Sequence, residues 1–137
     1  MKIHTTNYYN TLIEISDDCP ANIGEVPPLK VDKPTIANIQ FELISKNPYK
    51  FTSDDVLFKA YAIKNDLTEK EIDESKKLFF SKGQACFRAS PLTKRYGWGV
   101  HSNSEGKIAI FGVESKEYEK LKSDNSTQTV KAMKTKR

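Results

Sequence analysis

At Gly83 the hydrophobic pattern of this chain changes period, from the three-to-four spacing of helices to the alternation of strands. Upstream, Ile36, Ile39 and Leu43 share one helical face, and Val56, Leu57, Ala60, Tyr61 and Ile63 mark a second helix. A third carries its own punctuation, with Thr68 as N-cap, Glu71 as capping-box partner, and Leu67 and Ile72 at the staple positions. Gly83 fits the C′ position that ends it. Downstream, Tyr96, Trp98 and Val100 alternate with Arg95, Gly97, Gly99 and His101. The β-prone run 108–113 follows across the turn-rich residues 102–106, so the two segments read as a hairpin.

The ends complete the outline. Tyr9, Thr11, Ile13 and Ile15 fall on one side at period two, a strand closed by Asp17, Asp18, Cys19 and Pro20. Pro20, Gly24, Pro27, Pro28 and Pro34 make residues 20–34 an irregular connection. The first helix must stop before Pro48, and Thr52 opens the second with Asp55 as its capping partner. Residues 85–89 read as a short strand, Ser115 caps a short helix through Leu121, and residues 127–133 are either a weak last strand or part of a frayed tail. The expectation is a single α+β domain over residues 1–130, with three to four helices packed on one face of a small antiparallel sheet. Residues 131–137 then form a basic C-terminal tail.

A chain of 137 residues is long enough to bury one core without disulfide or metal support. No stretch approaches the ~20 apolar residues of a membrane span, and the first residues lack the apolar run of a secretory signal. Cys19 and Cys86 lie far apart with no C-x-x-C pair, so a cytoplasmic protein with reduced thiols and no membrane partner is expected. The net charge of +4 belongs to the end of the chain: residues 131–137 carry four cations, and without them the 18 acidic residues are balanced. A broadly basic nucleic-acid-binding body is therefore not indicated. The two-helix-then-hairpin outline suggests a winged helix, but the would-be recognition helix begins with Glu69, Glu71, Asp73 and Glu74, which would repel phosphates.

Residues 88–101 are the densest in binding chemistry. Arg88, Lys94 and Arg95 supply permanent positive charge, His101 a titratable ring, and Tyr96 and Trp98 flat aromatic faces. Gly97 and Gly99 remove side chains from the strand face shared by Arg95 and His101, leaving an open floor on which an anionic or planar ligand could lie. The competing reading makes Tyr96, Trp98 and Val100 core residues, with the glycines accommodating a packed helix and the cations solvated. Asp54 and Asp55 suit a helix cap as well as acid–base work, and Cys86 suits a buried thiol as well as a nucleophile. His4, His101, Cys19 and Cys86 match no zinc-module spacing, and no phosphate or dinucleotide loop is present, so no metal or cofactor is expected.

The chain resembles a family of small bacterial proteins of unknown function, nearly end to end. The likeness is carried by residues 4–8 (His-Thr-Thr-Asn-Tyr), Asn47-Pro48-Tyr49, residues 52–58, Lys82-Gly83-Gln84, residues 88–101, residues 106–109 and residues 113–118. The resemblance implies a bacterial, cytosolic, single-domain protein and supplies no activity, substrate, cofactor or functional residues. The leading expectation is thus a non-enzymatic binding or regulatory module that recognises an anionic small molecule or acidic protein surface through Arg88, Lys94, Arg95, Tyr96, Trp98 and His101. A second is a small enzyme using His101 with Asp54, Asp55 or Cys86. A third is weak, nonspecific nucleic-acid association through the tail.

Overall fold

Three threonines start three helices. In the computed structural model, which describes residues 4–29 and 33–134, Thr35 caps α1 (Ile36–Ser45), Thr52 caps α2 (Ser53–Lys64) and Thr68 caps α3 (Glu69–Phe80). Each cap has a partner three residues on. Asn38 Oδ1 accepts the Thr35 N–H at 2.8 Å, Asp55 the Thr52 N–H at 3.1 Å, and Glu71 both the N–H and the hydroxyl of Thr68 at 2.9 Å. These contacts are short in sequence, which is why the helix starts are readable from it.

The C-terminal end of α3 departs from expectation. The helix stops at Phe80, and Ser81 closes it by donating its hydroxyl to the Leu78 carbonyl at 2.7 Å. Gly83 lies beyond the cap and has no left-handed φ. The left-handed cap occurs instead at α2, where Asp66 has φ 50° and the Asp66 and Leu67 N–H groups return to the Ile63 and Ala62 carbonyls. This Schellman turn sends α3 back beside α2.

Residues 85–89 are not a strand. Phe87–Ala89 form a single 3-10 turn, and Ser90 caps the short helix α4 (Pro91–Lys94), with Pro91 at the first position. The Thr93 hydroxyl bonds the Phe87 carbonyl, folding the segment onto itself around the buried Phe87. The hairpin then begins at Trp98, not at Tyr96: β2 is Trp98–Ser102 and β3 is Ile108–Gly112.

With β1 (Thr11–Glu14) and β4 (Gln128–Lys131), these make a four-stranded sheet in the order β3-β2-β1-β4. It is mixed, where an antiparallel sheet was expected, because β4 pairs parallel with β1. The cause is α5 (Lys116–Ser123), which carries the chain back to the end where β3 began before β4 enters at the far edge. Helices therefore cover both faces. Trp98 and Val100 point toward α1, where Phe41 meets Trp98 at 5.3 Å, while a Cβ on Gly99 would fall 2.5 Å from the Tyr118 ring of α5. The Tyr118 hydroxyl accepts the Ile15 N–H at 3.0 Å, and burial pushes this phenol up to about 12.

The core joins Ile13, Ile44, Val56, Phe87, Leu92, Val100 and Ile108 with Ala132, so the packed body continues past residue 130. Residues 127–133 are resolved in favour of a strand, and the Met133 N–H donates to the Arg88 carbonyl at 2.7 Å. Lys131 is ion-paired with Asp17. Residues 135–137 of the expected tail lie outside the described residues. No helix among the described residues is long and apolar enough to cross a membrane.

Candidate functional site

The six residues expected to form a site are distributed over separate surroundings. Arg88 lies against β4, its Nε donating to the Lys131 carbonyl at 2.8 Å. Together with the Arg88 carbonyl that accepts from Met133, it covers backbone groups at and just beyond the end of the edge strand. Lys94 ends α4, and Arg95 is its exposed C-cap, with the guanidinium 5.9 Å from the Tyr96 ring centre. Tyr96 packs on the core, and its carbonyl accepts the Glu25 N–H at 2.8 Å. Trp98 Nε1 donates to the Glu25 carbonyl at 2.7 Å, so Tyr96 and Trp98 together hold the irregular 20–29 connection.

The glycine floor is filled by the protein itself. Arg95 precedes the strand, and Gly97 has φ +78°, which breaks the alternation that would have aligned Arg95 with His101. A Cβ on Gly97 would stand 2.4 Å from the Ile23 carbonyl oxygen, and Gly99 is closed by Tyr118.

His101 sits on the α5 side of the sheet, where Tyr49 meets it with a 2.8 Å contact between the phenolic oxygen and Nδ1. Tyr49 is itself held at φ +57°, a conformation uncommon for an aromatic residue. Burial holds the imidazole below the usual histidine range, opposed by the charge of Asp124, and raises the Tyr49 phenol. The neutral ring with Nδ1 as acceptor of the phenol proton is therefore favoured. Because the folded form disfavours protonation, the stability it contributes is present above about pH 6.5 and lost as pH falls through the lowered native value. Wild type should thus lose more thermal stability between pH 7 and pH 5 than His101→Gln; equal losses would show that another group controls the acid limb.

The other expected participants have their own partners. Asp54 accepts from the Thr5 hydroxyl and from the Thr6 hydroxyl and N–H, each at 2.7 Å. Asp55 is held in the Thr52 cap. Cys86 Sγ lies 3.7 Å from the Tyr8 hydroxyl. Burial and then the Cys86 thiol raise the Tyr8 phenol, while Arg88 acts in the opposite direction. Among the described residues, no cluster of three or more His, Cys, Asp or Glu side chains is placed to hold a metal ion.

A concave site lies elsewhere, among the helices. A cleft of about 470 Å³ is walled by Leu43 of α1, by Phe58, Ala62 and Ile63 of α2, by Ile72 of α3, and by Phe51 from the preceding loop. Lys59, Lys76, Asp55 and Asp73 add charge to this apolar lining. A smaller concavity of about 360 Å³ continues past Leu43 and Ile63 toward Leu29 and Pro34. The cleft exists because α3 is anchored at one end. Phe79 packs 5.0 Å from Tyr61 and 5.6 Å from Phe58, with Phe80 beside it, while an earlier turn of α3 contributes Ile72 to the cleft wall. Seven of the eight residues 56–63 are apolar, Lys59 being the exception. A helix apolar on more than one face needs cover on more than one side, which is the sequence signal for this cleft. Ile63 nevertheless remains 51% exposed.

Fold and cleft together define an α+β domain with a mixed sheet and an open apolar site between its helices. The chain belongs to DUF6157, a family of unknown function whose match spans residues 3–137. Comparison with curated proteins and with solved structures gave no match.

Proposed function

We propose that this protein is a non-enzymatic binding module whose site is the cleft between α1, α2 and α3, and that its ligand is a small molecule with an apolar body. The observation that carries this reading is the cleft itself. Its volume of about 470 Å³ is within the range of small-molecule sites, and its walls are apolar with a few charged groups at the margin. Residues 88–101 serve in this reading as the frame that joins sheet, edge strand and 20–29 connection. A neutral apolar dye, Nile red, tests the site. Wild type should enhance its fluorescence saturably, and Ala62→Trp, which places an indole in the cleft, should weaken the dye at least about tenfold. Ile63→Gln changes a half-exposed wall residue and should weaken it less, with an unchanged thermal midpoint. Equal dye binding by wild type and both variants would overturn the reading.

A further inference from the structure

The charged groups at the cleft margin are not equivalent. Asp55 is turned toward the Thr52 backbone N–H by its capping role. Asp73 and Lys76 stand three residues apart on α3, close enough along one helix face to offset each other. Lys59 follows Asp55 by one helical turn, but that carboxylate is committed to the Thr52 N–H and forms no ion pair with it. Its Nζ lies 5.1 Å from the centre of the Phe51 ring, and Lys50 Nζ lies 5.5 Å from the same ring. Among the described residues neither ammonium, nor that of Lys76, takes part in an ion pair. The Phe51 end of the cleft thus has two ammonium groups held on one aromatic ring, neither of them in an ion pair, against one carboxylate, that of Asp55, already taken up by a helix cap.

We infer that the ligand is an amphipath with an anionic head, a carboxylate on an alkyl or similarly apolar body, and that the head lies at Phe51 beside Lys59 within the field of Lys50. The inference rests on the cleft reading and adds polarity to it: the body occupies the space between Phe58, Ala62, Ile63 and Ile72, while the head stays at the wet rim. An ammonium head would meet like charge there, and a neutral head would gain nothing from either lysine.

Displacement of Nile red by three octyl compounds separates the two levels of the argument. Octanoate should displace the dye at roughly fivefold lower concentration than 1-octanol, the size of one solvent-exposed ion pair, and octylammonium should be the weakest. Lys50→Met/Lys59→Met keeps the aliphatic stems and removes the charges, so octanoate and octanol should displace the dye from it at similar concentrations, each compared with the variant's own dye affinity. Raising the salt concentration should shrink the octanoate preference in wild type and leave the double variant unchanged. Saturable dye binding by wild type with octanol equal to octanoate, or with octylammonium strongest, would overturn the anionic head and leave the cleft standing. Absence of saturable dye binding would overturn the cleft, and this inference with it.

Discussion

Gly97→Ala is expected to destabilise the protein by about 3 kcal/mol, combining the cost of a left-handed alanine with that of overpacking. Gly97 has φ +78°, and the added methyl would stand 2.4 Å from the Ile23 carbonyl oxygen, a backbone atom that cannot rotate away. The residue sits at a crossing. Its own carbonyl accepts the Val113 N–H at 2.9 Å, and the adjacent Tyr96 carbonyl accepts from Glu25. Movement to relieve the clash would therefore disturb the hairpin and the 20–29 connection together. Gly83→Ala is the control, since a Cβ there meets only His4 Nδ1 at 4.0 Å and the backbone is not left-handed. Denaturant titration should show a large midpoint shift for Gly97→Ala and little for Gly83→Ala. Similar midpoints for the two variants would mean that the 20–29 connection does not press on Gly97.

The contrast between these two glycines shows which parts of the molecule were legible in the sequence. Thr52, Thr68 and Ser115 each bond within three residues of themselves, so local composition sufficed to place three helix starts. The first helix was legible from the spacing of Ile36, Ile39 and Leu43 and not from its Thr35 cap. Gly83, also read locally, was assigned a cap that Ser81 supplies. The 88–101 stretch was harder, because alternation alone could not show that Pro91 starts a helical turn and Gly97 breaks the register. The direction of β4 was not legible at all. It depends on α5 crossing the sheet beneath Gly99 and delivering Gln128 beside Thr11, a pairing more than a hundred residues apart. Cations and aromatics are densest in residues 88–101, yet Arg88, Tyr96 and Trp98 are taken up by backbone carbonyls and core packing. The cleft was visible only as an excess of apolar residues around α2, a surplus that local patterning does not assign to a partner.

Asp54 presents the same ambiguity at a single residue, and its replacement should separate structure from chemistry. A carboxylate at the second position of α2 suits the helix N-terminus, and one paired with His101 would suit acid–base work. In the structure it gathers the Thr5 hydroxyl and the Thr6 hydroxyl and N–H, while its own N–H donates to Asn7 Oδ1 at 2.9 Å. Thr6 is buried, so an amide left without an acceptor there carries a desolvation cost. Asp54→Ala should therefore lose about 2–3 kcal/mol, the scale of hydrogen bonds to a charged acceptor. Asp54→Asn keeps Oδ1 for two of the three donors and should lose less. The Thr6 hydroxyl retains its 2.8 Å contact with Ser53 Oγ in either variant, so the loss should appear mainly at the amide. Hydrogen exchange reads this directly: the Thr6 amide should be protected in wild type, less so in Asp54→Asn, and least in Asp54→Ala. Unchanged Thr6 protection together with an unchanged unfolding midpoint would show that Asp54 does not tether the first strand's approach, and would return it to the pool of carboxylates without a structural role.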